Sequence, residues 1–271
     1  MKWQAACKAL GVKPLITGIL LCAIAPFCVA GTDSLQEVIG RANDHVAKFV
    51  EKFSDVKCTE HVTQEKFKAD GKVELKEEST YDYLVILTNA GGEISLDESR
   101  LAVREQKKEQ QKKGVSMLVS NGFATLFLVF HPYYSSGFEF TDLGEDQMGG
   151  HSFHKIQFKH ISGMRSPAAL SLRGREYPLD LAGVAWIDPA TGVISKIDAG
   201  LANSMEDIGL KSMRSEVQFQ PVPFKDAKDV YWFPAQASVE VETPRQHWRN
   251  THNFTDYKQF SVSTEEKVAA K

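Results

Sequence analysis

The stretch GVAWIDPATGVISKID, Gly183 to Asp198, decides the fold class. Residues 184–187 are apolar and suited to a strand, residues 188–192 (DPATG) are typical of a turn, and alternation resumes over residues 193–199. An aspartate at the first turn position binds backbone N–H groups ahead of it, and a glycine supplies the positive φ that closes the hairpin. The stretch therefore predicts an antiparallel hairpin, in which Asp188 is a turn residue and not a catalytic carboxylate.

The same alternation of apolar and polar residues recurs in the second half of the chain, at residues 156–159, 216–220 and 239–242. Period two gives a sheet one dry face and one wet face, which is the pattern of antiparallel meanders. From Ser34 to Phe53, by contrast, the apolar residues fall at helical spacing, and Ser34 is suited to cap the helix. We therefore expect an α+β fold, with an N-terminal amphipathic helix and an antiparallel sheet.

The first thirty residues have the three zones of a secretory signal peptide. Three lysines precede residue 14, residues 14–29 are almost all apolar, and small residues end the segment at Ala30. We expect residues 1–30 to be a signal peptide cleaved near Ala30, and residues 31–271 to form one domain. The mature protein would then be periplasmic or secreted, while a retained membrane anchor stays open as the alternative.

Composition excludes some classes of partner. The net charge is -3 and no basic stripe with interleaved aromatics is present, so no nucleic-acid partner is expected. Three of the four cysteines lie in the predicted signal, which leaves Cys58 as a buried apolar residue without an internal disulfide. No cofactor is expected, and we expect a monomer.

Three further segments have distinct patterns. Residues 58–67 and 73–87 predict a long hairpin around a turn at residues 69–72. The charged segment from Asp97 to Lys113 predicts a solvated helix or a mobile loop. The apolar run ATLFLVF, residues 124–130, fits either a buried strand or a short helix.

Three motifs resemble the LolA/LolB superfamily of lipoprotein carriers, which includes RseB-like and LppX-like proteins. They are WIDPATGVISKID from Trp186, YWFPAQASVEVETP from Tyr231 and HNFTDYKQFSV from His252. The resemblance implies a strongly curved antiparallel half-barrel, capped by helices, whose hydrophobic concave face receives acyl chains. It implies a non-enzymatic exported carrier or sensor that binds a lipid or a lipidated protein in the cell envelope. An envelope membrane protein is a further candidate partner.

An aromatic surplus agrees with a hydrophobic cavity on that face. Each methylene of an acyl chain that leaves water gains about 0.8 kcal/mol, so roughly a dozen carbons give useful affinity. The alternative, that helices close the face and these residues fill the core, stays open. The predicted lining consists of Phe123, Phe127, Phe130, Tyr133, Tyr134, Phe138 and Trp248.

Histidines supply the enzymatic alternative, an envelope hydrolase or metal-assisted enzyme that uses His151, His154 and His160. On a strand, however, His154 and His160 share one face and His151 lies on the other. The sequence contains no HExxH, CxxC or GxSxG motif to support catalysis. A ligand-free protein-interaction module on the same fold is a third alternative.

Overall fold

The computed structural model describes residues 33–90, 93–102, 126–172, 175–224 and 230–260. The predicted signal peptide, Phe123 and the charged residues 103–113 lie outside these ranges. In chain order the elements are α1 (Leu35–Phe53), β1 (Val56–Phe67), β2 (Val73–Ala90), β3 (Glu93–Ala102), a 3-10 helix (Leu126–Phe130), α2 (Pro132–Ser135), β4 (Phe138–Met148), β5 (His151–His160), β6 (Ala169–Leu172), β7 (Arg175–Pro178), β8 (Leu181–Ile187), β9 (Ile194–Leu201), a second 3-10 helix (Glu206–Ile208), β10 (Ser212–Val222), β11 (Tyr231–Glu242) and β12 (His247–Gln259).

Ten of these strands form one antiparallel sheet, in the order β3-β2-β1-β12-β11-β10-β9-β8-β5-β4. Strands β6 and β7 pair separately as a small hairpin. Several strand pairs of the large sheet contain register shifts, including β1 with β12 and β10 with β11. Such bulges bend strands and increase their twist. The open sheet with few helices fits a curved half-barrel and confirms the predicted α+β fold class.

Helix α1 begins and faces the sheet as its sequence predicts. Ser34 caps the helix, because its side chain accepts from the Glu37 N–H while the Glu37 carboxylate accepts from the Ser34 N–H at 2.9 Å. The buried side of the helix carries Val38, Ile39, Ala42, Val46, Phe49, Val50 and Phe53. These residues join the inward side of the sheet in one connected apolar core.

The turn between β8 and β9 confirms the structural role of Asp188. Its Oδ1 atom accepts from the N–H groups of Ala190 and Thr191, at 2.8 and 3.1 Å. Gly192 donates its N–H to the Asp188 carbonyl at 2.8 Å and has a φ of 75°. A side chain at this φ is strained, so glycine closes the turn.

The described residues test the predictions for the long hairpin and for the apolar run. Strands β1 and β2 form the predicted hairpin, and Cys58 is buried as expected. The apolar run is helical, since Leu126–Phe130 forms a buried 3-10 helix.

The prediction for the charged segment is wrong for residues 97–102, which form the second half of β3. The strand pairs with β2, so that Glu98 lies opposite Val85 and Arg100 lies opposite Tyr83. Charge alone suggested solvation, but Glu98 and Arg100 compensate each other by an ion pair of 2.9 Å. A charged strand is stable here because its inward charges have partners.

We expect Asp188→Asn to lower the free energy of unfolding by at most about 1 kcal/mol, since asparagine makes the same turn contacts. Asp188→Ala removes the acceptor of two N–H groups and serves as the more damaging control. Urea denaturation of both variants measures the difference. The structural role of Asp188 would be refuted if Asp188→Asn folded normally but abolished a measurable activity.

Candidate functional site

The inward face of the sheet meets α1 and the first 3-10 helix through aromatic rings. The ring centroid of Phe127, in the 3-10 helix, lies 5.0 Å from that of Phe49 and 5.7 Å from that of Phe53. Phe233 of β11 lies 5.3 Å from Phe49 and 5.7 Å from Phe53. All four side chains are buried. The helix therefore packs on the sheet through an apolar aromatic contact.

The predicted residues Phe130 and Phe138 lie farther along the same core. Both rings approach Phe158 of β5, with centroids at 5.9 and 6.0 Å. Near-perpendicular ring packing of this kind is favourable in protein interiors. Together with Phe127, these residues pack against neighbouring side chains of the chain itself.

Tyr133 and Tyr134 sit at the border of this core. The Tyr134 hydroxyl donates to the Ile94 carbonyl of β3 at 2.5 Å, so its polar end has a partner while its ring is buried. Tyr133 is half-buried, and the Arg165 guanidinium lies 4.0 Å from the centre of its ring. The structure thus brings five of the seven predicted lining residues together.

Trp248 is buried on β12 but lies apart from the other predicted residues. Its indole N–H donates to Gln246 at 3.1 Å, and the Lys66 ammonium lies 5.7 Å from its ring. It does not belong to the connected apolar core of the described residues. Trp248 precedes Phe254, a core residue on the same strand, by six positions, or about 20 Å at the usual rise of a strand.

Phe219 and Phe233 are among the core aromatics missing from the predicted lining, and Tyr257 packs against that core. The Phe219 ring lies 6.4 Å from that of Phe127, and the Tyr257 ring lies 5.0 Å from that of Phe233. Alternation along β10 places Phe219 on the same face as Val217, and this periodicity was sufficient to include Phe219 in the predicted lining.

The histidines of β5 have separate partners. His154 and His160 share the inward face as predicted, while His151 is exposed. The Nδ1 atom of His154 lies 3.2 Å from Asp142, and that of His160 lies 2.8 Å from Asp180. In the parts of the chain that the structure describes, no three His, Cys, Asp or Glu residues are placed to hold a metal ion.

A buried group of charged residues occupies the inward face of β1, β3 and β12, and we call Glu60, Glu98, Arg100 and His252 the Glu60 cluster. Arg100 donates to both oxygens of Glu60, at 2.6 and 2.9 Å, and to Glu98 at 2.9 Å. His252 Nδ1 lies 2.8 Å from Glu60 Oε1. The Glu60 side chain is 0% exposed, that of Glu98 1% and that of Arg100 12%. The cluster is therefore almost completely removed from water.

Burial and pairing set the charges of the cluster. Burial alone would raise the pKa of Glu60, but the hydrogen bonds from His252 and Arg100 lower it below its usual value. Burial lowers the pKa of His252 and outweighs the opposite effect of Glu60. At neutral pH Glu60 is therefore ionised and His252 is neutral, so that its Nδ1–H donates to Glu60.

We expect the free energy of unfolding to decrease at acidic pH because of His252. Its folded pKa lies below the usual value of about 6.5, so protonation favours the unfolded chain as the pH drops from about 6.5 through the folded value. The lowered pKa of Glu60 adds a second loss at lower pH, below about 4.3. Urea denaturation between pH 7 and pH 5 should show a smaller acid loss in His252→Gln, which still donates to Glu60. An equal loss in both proteins would contradict the assignment.

No helix in the described parts of the chain has the length and apolar character needed to cross a membrane. No family model matches the chain, and the curated proteins contain no match. Solved structures do match. A DUF1329 family protein from Desulfovibrio piger is 12% identical, with 87% of this chain and 96% of that chain covered and a TM-score of 0.42.

Two further solved structures also match this chain. A LolA superfamily protein from Nitrosomonas europaea is 8% identical, with 86% and 96% coverage and a TM-score of 0.37. A putative outer membrane lipoprotein-sorting protein domain from Vibrio parahaemolyticus is 13% identical, with 84% and 94% coverage and a TM-score of 0.40. The chain is thus similar to these solved structures, one of which is a LolA superfamily protein, and no residue's role is transferred from them.

Proposed function

We propose that the mature chain is a non-enzymatic carrier or sensor that binds a lipid, or the acyl chains of a lipidated protein, against the inward face of its sheet. The observation that carries this proposal is that the elements covering this face pack on it through aromatic rings. The ten-stranded sheet ends at the edge strands β3 and β4, and its inward surface is aromatic. Helix α1 and the first 3-10 helix pack on that surface through their aromatic side chains.

An acyl chain would enter where the cover meets the sheet. The contacts between cover and sheet are mainly apolar, so methylenes can replace them with similar chemistry. One polar contact joins the cover to α2, that of Asn43 in α1 with the Ser135 hydroxyl at 3.3 Å. Displacement of the 3-10 helix would open the sheet residues Phe219 and Phe233 to a ligand. The predicted lining residues Phe127 and Phe130 would move with this cover, and Trp248 is left out of the proposed site.

Export is part of the same proposal. We propose that residues 1–30 direct the chain out of the cytoplasm and that residues 31–271 work as one half-barrel domain in the periplasm or outside the cell. A carrier in that compartment meets lipids and acylated proteins, and an envelope membrane protein would be its donor or acceptor.

A fluorescent fatty-acid displacement assay on the mature chain tests the proposal. We expect saturable binding of chains of about a dozen carbons, weakened about three- to tenfold by Phe219→Leu, because a smaller side chain reduces contact in an apolar site. Phe67→Leu is the matched control, since Phe67 lies on the outward side of β1, beside His247. Absence of saturable binding by the folded protein, or equal weakening by both variants, would refute the proposal.

A further inference from the structure

His131 is the junction between the first 3-10 helix, which covers the inward face, and α2. Its N–H donates to the Leu128 carbonyl at 2.9 Å. Its own carbonyl accepts from the N–H groups of Tyr134 and Ser135, at 2.8 and 2.9 Å. His131 therefore ends one short helix and begins the next, so the positions of the two helices are coupled through this residue.

The His131 side chain also caps α2. Its Nδ1 atom accepts the N–H of Tyr133 at 3.1 Å. An imidazole nitrogen accepts a hydrogen bond only when it carries no proton, so this contact requires the neutral ring, with its proton on Nε2. His131 is buried, and burial lowers its pKa below the usual value. Both the hydrogen bond and the burial therefore favour the neutral form in the folded protein.

Helix α2 depends on this cap and on three contacts with the rest of the chain. Ser135 contacts Asn43 of α1 at 3.3 Å, and the Tyr134 hydroxyl donates to the Ile94 carbonyl of β3. The Arg165 guanidinium lies against the Tyr133 ring. A helix of four residues is not stable by itself, because so few residues cannot offset the cost of helix nucleation. Loss of the cap is therefore expected to disturb both α2 and the 3-10 helix that precedes it.

Several elements packed against this junction carry charged or titratable side chains. These are Arg41, Asp44, His45 and Lys48 of α1, Asp97, Glu98 and Arg100 of β3, Lys196 and Asp198 of β9, and Arg165 beside Tyr133. Among the described residues, burial is the cause of the lowered pKa of His131, so these charges do not determine it. His45 has a lowered pKa as well, through burial and the charge of Lys48, and it therefore needs a control of its own.

We propose that protonation of His131 releases the first 3-10 helix from the inward face, so that mild acid admits an acyl chain. The inference rests on the proposed function, in which the helix that carries Phe127 leaves Phe219. Protonated Nδ1 cannot accept from the Tyr133 N–H, so two donors would face each other. As the pH falls below about 6.5, the population with His131 in water grows. The apparent affinity for a ligand follows the fraction of molecules that can bind it.

NMR and hydrogen exchange on the mature chain test the junction without a ligand. At pH 7.5 the ¹⁵N signal of His131 Nδ1 should be that of an unprotonated nitrogen. Between pH 7.5 and pH 5.5, opening at residues 126–135, corrected for intrinsic exchange rates, should increase about threefold or more. His131→Asn should abolish the increase, because asparagine caps a helix and does not titrate. His151→Asn, on the exposed side of β5, and His45→Gln should retain it.

A fluorescent probe with a dodecyl chain and no titratable group tests the consequence for binding. Its apparent affinity for the wild-type chain should increase about threefold or more from pH 7.5 to pH 5.5. The affinity of His131→Asn should stay constant over this range. Protonated Nδ1 at pH 7.5, equal opening in wild type and His131→Asn, or an acid response of binding that His131→Asn retains would overturn the inference. Absence of saturable binding at both pH values would instead refute the proposed function, while the exchange data still report on the junction.

Discussion

Gly192→Ala is expected to lower the free energy of unfolding by about 3 kcal/mol or more, the sum of a backbone effect and a steric effect. Gly192 has a φ of 75°, which a residue with a Cβ adopts at a loss of about 1–2 kcal/mol. A Cβ there would also lie 2.3 Å from the Arg41 carbonyl oxygen and 2.7 Å from the Ala42 nitrogen of α1. These are backbone atoms of a helix, so the turn or the helix must shift.

Gly71→Ala provides the matched control for this prediction. Gly71 has a similar φ of 80°, but a Cβ at this position meets no atom within 4 Å. We expect it to lose only the backbone contribution, about 1–2 kcal/mol. Urea denaturation of the two variants separates the loss caused by the positive φ from the loss caused by the contact with α1. Equal losses would show that the turn does not support α1.

Arg100→Met is expected to destabilise the protein by about 3–5 kcal/mol, because it removes the guanidinium that pairs with the buried carboxylates of Glu60 and Glu98. Methionine retains much of the side-chain volume, so the loss reports on charge. Arg214→Met is the control, since Arg214 also makes two hydrogen bonds to a carboxylate, that of Asp198, but its side chain is 71% exposed. Exposed pairs contribute about 0–1 kcal/mol, so this control should be nearly neutral.

The loss in Arg100→Met should shrink as the pH falls, because protonation removes the charge of Glu60 that the guanidinium would otherwise balance. Glu60→Gln combined with Arg100→Met should recover part of the stability at pH 7. Thermal or urea unfolding of the single and double variants measures this coupling. If Arg100→Met were as stable as Arg214→Met, the Glu60 cluster would not be electrostatically coupled.

The elements that the sequence predicted well depend on local signals. Ser34 and Glu37 define the start of α1, and the spacing of its apolar residues defines its buried side. Asp188 and Gly192 define the hairpin of β8 and β9 in the same way, since turn contacts span only a few residues. Backbone preference and periodicity are properties of short segments, so one sequence suffices to find them.

The candidate site depends on contacts that no local pattern contains. Glu60 is 40 residues from Arg100 and 192 residues from His252 along the chain. Alternation along β1 places Glu60 inward, but no local pattern indicates that Arg100 and His252 lie against it. Trp248 was included in the predicted lining for its aromatic character, and it lies outside the connected apolar core of the described residues.

The location of a bound acyl chain is the most direct test of the proposed function. A fatty acid with a photoreactive group at the end of its chain, cross-linked to the mature protein and mapped by mass spectrometry, reports that location. We predict labels on the inward residues Phe127, Phe219 and Phe233, suppressed by excess unlabelled fatty acid. Labels confined to the outward surface around Trp186, where Lys155 and Lys196 flank the ring, would contradict a lipid site on the inward face.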